Sequence, residues 1–386
     1  MKIWVIGRAY PSSLNNNSGS FEFEQARMLA DRGHSVCYFA VETVMFYRKN
    51  RRAGISFFTS DGIRIYEDYF PYHPLPPFIM LRLREWRYKR LFDIAEKSYG
   101  IPDVIHVHYP AMAGYQQIIP YAERGVKIVA TEHWTRVLTN RIRHVHIESL
   151  KNYIKYAEAL ISVGSILQER IRTLTKCGDN CGKLMVIPNI VPASFTYSPA
   201  PATQPFRFIA IGRLVPCKCF DLLIQAFEKA FDENENVELH IVGGGPEYNT
   251  LLQLIKDKGL DGRVFLTGSR PHEDIPVLIQ NAHVLVCSSN LETFGVPVIE
   301  AMACGRPVIT TDAIGFVDLI NDRVGAVIKK DSLKELTEAL KEMHRCYQKY
   351  DGLAISEYAL SKFSEDAVYA ELMRIYGDHQ SQDNIV

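Results

Sequence analysis

No apolar run in this sequence reaches the roughly 18 to 20 residues that a membrane-spanning helix needs. The opening MKIWVIG reads as a buried first strand, because its apolar run is too short and too soon interrupted for a signal peptide. A disulfide framework is missing as well. The eight cysteines (37, 177, 181, 217, 219, 287, 304 and 346) are scattered. Cys177 and Cys181 form a C-x3-C, but no second Cys or His pair follows at zinc-site spacing. Reduced thiols in cores and turns, in a cytoplasmic chain, are the expectation. There is no net charge either, with 44 basic against 44 acidic residues, and no nucleic-acid partner is expected.

What is present is an ordinary globular composition, 47% hydrophobic and 23% charged over 386 residues. That length exceeds one typical core and predicts two domains. The zero total hides an asymmetry. Residues 1–195 carry 26 Lys and Arg against 17 Asp and Glu, and the remainder carries 18 against 27. The basic first half suggests an anionic partner. Within it, FYRKNRR (46–52) and MLRLREWRYKRLF (80–92) mix arginines with aromatics and leucines. Such segments can lie on an anionic membrane surface, or form solvated helix faces.

Short Val- and Ile-rich runs alternate with helical stretches. KIWVIG (2–7), VCYFAV (36–41), DVIHVH (103–108), KIVATEH (127–133) and ALISVG (159–164) read as strands, and FEFEQARMLADRGH (21–34) as a helix stopped at Gly33. The segment 184–206 holds five prolines and reads as an interdomain linker. A second cycle follows with RFIAIGR, VELHIVGGG, VFLTG, HVLVCSS and PVITTD. This rhythm predicts two doubly wound parallel sheets, with ligands at the carboxyl ends of the strands. SEDAVYAELMRIYGD is helical and is expected to pack back on the first domain.

The stretch SNLETFGVPVIEAMACGRPVI (289–309) carries two carboxylates in apolar surroundings, where charged groups are seldom left without partners. CSSN ends a strand, a loop with Thr293, Phe294 and Gly295 follows, and Pro297 suits the first turn of a helix. Amides at that helix start favour an anion. Glu300 is expected in the first helical turn and Glu292 in the loop before it, both able to accept hydrogen bonds from sugar hydroxyls. In GRLVPCK (212–218), Arg213 and Lys218 follow a strand on a turn from which both could clamp a diphosphate. GGGP (243–246), with Gly244 at its centre, is a tight strand-end turn that permits close approach of a ligand.

These residues, in this order, resemble the retaining glycosyltransferases of family 4, the glycosyl transferases of group 1. The resemblance implies the GT-B fold, two Rossmann-like α/β domains facing across a cleft. It implies an acceptor-binding domain over 1–190, with the helix from about 364 to 386 packing back on it, and a donor-binding domain over 205–363. Glu300 is then the residue that holds the nucleotide ribose. Glu292 contacts the donor sugar, with the amides near Phe294 and Gly295, and Arg213 and Lys218 neutralise the leaving diphosphate. The base is read near Ser269 and Arg270. In the first domain SGSF, with Gly19, corresponds to the family's early glycine loop, and TEHW makes His133 the residue beside the reacting sugar carbon. His106 and His108 are on a neighbouring strand end, facing the same side. Cys219 stands where a glycine normally follows the clamp lysine, and Ile190 replaces the glycine after Asn189.

The implied activity is transfer of a hexose, with retention, from a UDP- or GDP-sugar to a glycan or polyprenyl-diphosphate-linked acceptor, in bacterial surface polysaccharide synthesis (capsule or exopolysaccharide). No metal or cofactor is expected, since basic side chains can take the place of Mg²⁺. The basic first half allows a peripheral position at the inner face of the cell membrane. An oxidoreductase is disfavoured because GRAYPS after KIWVI has no dinucleotide glycine pattern. A non-catalytic nucleotide-sugar-binding homologue or scaffold is the alternative.

Overall fold

The computed structural model describes residues 1–12, 18–44, 53–71, 75–178, 181–202 and 204–377. The basic segment 46–52 and most of the loop before Gly19 lie outside the described residues. The chain divides into two compact units. The first comprises Met1–Ile190 and Val368 onward, the second Val191–Ala367.

The first unit opens with β1 (Lys2–Gly7), α1 (Ser20–Asp31) and β2 (Ser35–Val44), followed by β3 (Gly54–Ser60) and β4 (Ile63–Pro71). Then come α2 (Pro77–Tyr99), β5 (Val104–His108) and the short α3 (Pro110–Ala113) and α4 (Ile119–Ala122). β6 (Lys127–Glu132), α5 (His144–Tyr156), β7 (Ala159–Ser162), α6 (Ser165–Thr175) and β8 (Leu184–Val186) complete the sheet. Its order is β3-β4-β2-β1-β5-β6-β7-β8, and the central pairs are parallel. β3 and β4 form an antiparallel hairpin through Asp61 and Gly62, both with positive φ (50° and 72°), as a tight two-residue hairpin turn requires. Val and Ile at inward positions bury both faces of the central strands, as parallel sheets demand.

The second unit runs β9 (Phe206–Ile211), α7 (Phe220–Ala230), β10 (Val237–Val242), α8 (Tyr248–Asp257), β11 (Val264–Gly268) and α9 (Ile275–Gln280). It continues through β12 (Val284–Cys287), α10 (Val296–Ala303), β13 (Val308–Thr311) and β14 (Gly325–Ile328). α11 (Leu333–Arg345) and α12 (Gly352–Phe363) follow, and then α13 (Glu365–Tyr376), most of which belongs to the first unit. The sheet order is β11-β10-β9-β12-β13-β14. One face is filled by α7, α8 and α11 through Phe208, Leu223, Phe227, Leu251 and Leu340. Strand order reverses between β9 and β12, so the loops after these two strands flank the switch point where ligands of such sheets bind.

Three expectations need correction. The proline-rich 184–206 is not a free linker. β8 pairs with β7 in the first sheet, while Ser198 and Pro199 are strapped to the second unit by the buried Arg306, which donates to the Ser198 carbonyl (2.8 Å), the Pro199 carbonyl (3.1 Å) and the Gln280 carbonyl (2.8 Å). Cys177 and Cys181 are not separate thiols but a disulfide, with Cα atoms 6.1 Å apart. The turn after α6 brings them together, starting from Lys176 in the left-handed conformation and closed by Cys181 N–H to the Gly178 carbonyl at 3.0 Å. Finally, β3, β4 and β14 add strands where no periodic signal was evident.

Candidate active site

In the second unit the backbone builds the site before any side chain does. The turn after β9 and the turn after β10 press together. Gly243 has φ 154°, and a Cβ there would lie 1.8 Å from the Gly212 carbonyl oxygen; one at Gly245 would lie 2.3 Å from that of Leu214. These glycines therefore serve the contact between two strand-end turns rather than a ligand directly. Gly244 between them is half-buried, with only Ser269 near its open side. Ser269 and Arg270 follow β11 as exposed residues.

The turn after β9 is latched to the loop after β12. Asn290 N–H donates to the Cys217 carbonyl at 3.0 Å and Ser288 Oγ to the Lys218 carbonyl at 2.8 Å. Across this latch the Lys218 ammonium and the Glu292 carboxylate form a close, largely covered ion pair. Burial alone would lower the ammonium pKa, but Glu292 outweighs it and holds Lys218 above its ordinary value. Glu292 Oε1 also accepts from Thr293 N–H at 3.1 Å. Arg213, on the same turn, is exposed. Cys219 occupies the left-handed region (φ 51°, ψ 40°) as N-cap of α7. The turn that a glycine would make is thus kept, with an L-residue in a conformation that costs roughly 1–2 kcal/mol.

Gly295 (φ 103°) caps α10, and a Cβ there would strike Ile314 at 2.7 Å. Phe294 turns away from the loop into the core, 4.7 Å from the Phe316 ring, so only its backbone can face a ligand. Glu300 requires a correction. α10 starts at Val296, which puts Glu300 at its fifth residue, in the second turn. Its buried carboxylate meets His272 Nε2 at 2.9 Å.

In the first unit, alternation along β5 sets His106 and His108 on one face with their rings stacked at 4.7 Å. His106 is enclosed by Gln25 (2.9 Å) and Thr131 (2.7 Å). His108 Nδ1 lies 2.9 Å from His133 Nε2, and Asn189 hydrogen-bonds His133 as well. Burial, followed by the charge of Arg8, pushes His133 down to about 3, and burial keeps His106 and His108 well below the usual histidine range. All three rings are neutral near pH 7, so His133 acts as a neutral hydrogen-bonding and packing group. Beside it the buried Glu132 accepts from the backbone N–H groups of Ala111, His133 and Trp134 at 2.8–3.0 Å. Burial nonetheless raises its pKa to about 7. Gly19 (φ 95°) caps α1 with its α-carbon against Ala9, where a Cβ would lie 2.0 Å from the carbonyl oxygen. A cavity of about 320 Å³ lies nearby, lined by Arg8, Glu42, Thr43, Arg84, His108 and Tyr109 among others.

Comparison with known proteins identifies the family. The family model described as Glycosyl transferases group 1 matches residues 197–358, and the one described as Glycosyltransferase Family 4 matches 22–195. The chain belongs to this glycosyltransferase family. This glycosyltransferase is 24% identical over 333 residues to the phosphatidylinositol N-acetylglucosaminyltransferase GPI3 subunit of Saccharomyces cerevisiae, covering 82% of this chain and 69% of that one. It is 26% identical over 334 residues to the N-acetyl-alpha-D-glucosaminyl L-malate synthase of Bacillus anthracis, covering 83% and 81%. Among solved structures, a sucrose-phosphate synthase from Thermosynechococcus elongatus superposes with a TM-score of 0.75 at 20% identity, covering 98% of both chains. Anabaena HepE in complex with UDP and glucose superposes at 0.69 and 19% identity, covering 98% and 99%. The fold is GT-B.

Three residues beside these candidate positions, one in the second unit and two in the first, were not singled out from sequence. His272 follows Ser269 and Arg270 and opens a short 3-10 turn (His272–Asp274) with no periodic signal. Arg8, which pairs with the buried Glu22 at 2.9 Å and lies 4.1 Å from the Tyr109 ring centroid, follows β1 without a motif. Glu132 adjoins His133 in TEHW, where its neighbour draws the eye. Among the described residues no helix is long and apolar enough to cross a membrane.

Proposed function

We propose that this protein transfers a hexose, with retention at the anomeric carbon, from a nucleoside diphosphate sugar to a hydroxyl of a glycan or lipid-linked acceptor. The observation that carries this reading is the Lys218–Glu292 pair latched across the β9/β12 switch point. The pair supplies a cation for a diphosphate and a carboxylate for sugar hydroxyls in one place. Arg213 adds a second cation on the same turn, and Glu300 with His272 offers a hydrogen-bonding edge for the ribose. Ser269 and Arg270 supply backbone for the base.

In the reaction the bond from the anomeric carbon to the diphosphate oxygen breaks, and negative charge grows on the leaving group. Lys218 and Arg213 stabilise that charge, and such electrostatic stabilisation is usually the largest catalytic contribution. The acceptor oxygen forms the new bond on the same face, and its proton goes to the departing phosphate. In the first unit the cavity lined by Arg8, Glu42 and Arg84 suits a hydroxyl-rich acceptor, and neutral His133 offers a contact for the sugar. The two side-chain cations serve where a Mg²⁺ ion could, so no resident metal is assigned.

The named relatives are a phosphatidylinositol N-acetylglucosaminyltransferase subunit and an N-acetyl-alpha-D-glucosaminyl L-malate synthase, and a structural neighbour was solved with UDP and glucose. UDP-N-acetylglucosamine and UDP-glucose are therefore the first donors to try. We further place the enzyme peripherally at a membrane, in surface polysaccharide assembly, where a lipid-linked acceptor would be met. The test is a panel of UDP-, GDP- and ADP-sugars scored for nucleotide release with lipid-diphosphate and soluble glycan acceptors, with product anomers read by NMR. A protein that binds nucleotide yet releases none with every pair would be a binding homologue.

A further inference from the structure

We propose that the outward face of α2 is the surface through which this protein docks on an anionic lipid bilayer. The proposal rests on the peripheral-membrane reading above and names the residues that would carry it. α2 is fixed along one side by the buried Leu81, Glu85, Tyr88, Leu91, Phe92 and Ala95. Phe92 packs on Trp4 of the first strand with ring centroids 5.1 Å apart. The helix is therefore held on the sheet by a full stripe of core contacts, and among the described residues its other side is exposed.

That other side is unusual for a soluble surface. Phe78 is 59% exposed, Ile79 40% and Trp86 52%, and Leu75, just before the helix, is exposed too. Arg82, Lys89 and Arg90 share the face. The spacing 78, 79, 82, 86, 89, 90 follows helical periodicity, so the six residues form one stripe about 18 Å long at 1.5 Å per residue.

Charge selects the partner. The only acidic residue between Phe78 and Arg90 is Glu85; it is buried, where its carboxylate accepts from Tyr115 N–H at 3.0 Å and also pairs with Arg82 at 3.2 Å. Arg84 and Arg87 also turn inward, the first to the Met112 carbonyl (2.8 Å) and the second to Asp68 (2.7 Å). Folding thus sorts a mixed sequence into a face on which Arg82, Lys89 and Arg90 outnumber one exposed acid, Asp93, which lies one turn beyond Lys89 and pairs with it at 2.8 Å. A protein-binding helix offers an unbroken apolar stripe at i, i+3, i+4 and i+7. Here cations on long stems interrupt it, and such stems can bury their methylenes while the charge stays at headgroup level. Trp86, with the Arg90 guanidinium 5.0 Å from its ring centroid, is the residue type that favours the membrane interface. The apolar N-terminal end, with Phe78 and Ile79, would enter the acyl boundary, and Arg82, Lys89 and Arg90 would meet phosphates.

The experiment is flotation of the full chain with phosphatidylcholine vesicles, with and without about one third phosphatidylglycerol, at low and high salt. We compare wild type with Lys89→Glu/Arg90→Glu and Phe78→Ser/Trp86→Ser. These side chains are exposed, so circular dichroism and nucleotide release to a soluble acceptor should match wild type. Wild type should bind the anionic vesicles and be released by salt, and each double variant should lose more than about tenfold in partitioning. Brominated lipid should quench wild-type tryptophan fluorescence and spare Trp86→Phe. If wild type binds and both double variants bind equally well, α2 is the wrong surface, although the membrane reading survives. If wild type ignores anionic vesicles at low salt, both fall. If Phe78→Ser/Trp86→Ser instead dissolves a lipid-free dimer, the occupant of this face is a second copy and the proposal is overturned.

Discussion

His272 Nε2 lies 2.9 Å from Glu300 Oε1, and that carboxylate is almost wholly buried. A buried carboxylate needs hydrogen bonds in every state it visits. His272 supplies one, and under the proposed function the second oxygen accepts from ribose hydroxyls. Glu300→Gln should therefore weaken free nucleotide and whole donor alike, by roughly tenfold or more, the scale of a hydrogen bond to a charged group. His272→Ala should cost clearly less than Glu300→Gln. Calorimetry on both variants decides this, and equal losses would mean that the histidine is the principal contact.

Glu292 should fail in the opposite way. It holds the Lys218 ammonium in close contact, so Glu292→Gln frees a cation for the diphosphate while removing a partner of the transferred sugar. Free UDP affinity should hold or tighten, whereas kcat should drop by about a hundredfold or more, the signature of an interaction made mainly in the transition state. Weaker UDP binding in Glu292→Gln would contradict this division of labour.

The two clamp cations should separate by stability. Arg213 is exposed, and Arg213→Ala should weaken nucleotide binding with unfolding unchanged to within about 0.5 kcal/mol. Lys218→Ala leaves Glu292 without its cation in a largely covered position, so it should lose binding and also about 1–3 kcal/mol of stability. Urea denaturation beside nucleotide titration tests both.

Cys219 tests the turn itself. Cys219→Gly relieves left-handed strain but removes a buried side chain, and the two should nearly cancel, to within about 1 kcal/mol. Cys219→Val puts a β-branched residue in the same conformation and should destabilise clearly. Thermal unfolding that ranks valine equal to glycine would remove the strain argument.

The histidine cluster predicts how stability follows pH. His106, His108 and His133 are depressed in the fold. Their contribution is complete above the unfolded value near 6.5 and is lost as pH falls below it, because unfolding then takes up protons. Glu132 is raised to about 7 from an ordinary value near 4.5, so its contribution is complete below about 4.5 and is lost as pH rises toward 7. Three groups oppose one, and the urea midpoint should fall between pH 6.5 and 5. Glu132→Gln should make that fall steeper, and His108→Asn shallower. A midpoint that rises on acidification in this window would show the signs to be wrong.

If Lys218 and Arg213 carry the leaving-group charge, EDTA should change nucleotide release less than about twofold, whereas an essential divalent ion would make the loss far larger.

Much of this was legible in the sequence, for physical reasons. β1, β5 and β9 announce themselves because parallel strands are apolar on both faces, and α10 because Pro297 and Gly295 punctuate a run that no solvated helix would tolerate. Lys218 and Glu292 are recognisable as candidates by type and position, but nothing in their local sequence pairs them, since the contact spans a switch point between distant strands. The β3–β4 hairpin hides because most of β3 is exposed, with little apolar alternation. Glu300 moves by one residue, into the second turn, because a left-handed Gly295 starts the helix earlier than Pro297 suggests. The arginines of α2 read as one basic block, and only the fold sorts them into inward struts and an outward face.

The core of the first unit includes Val368, Leu372, Met373 and Tyr376 beside Ile3, Val5 and Val36, and Tyr376 also reaches His106. The second unit, by contrast, is one uninterrupted stretch from Val191 to Ala367. On a ribosome the unit synthesised first is therefore completed last. Until α13 emerges, Ile3, Val5 and Ala26 lack part of their covering, while the second unit already has every strand it needs. For the length of time it takes to translate the intervening residues, the nascent chain carries an open apolar groove, and that interval is when a chaperone would have the most to hold.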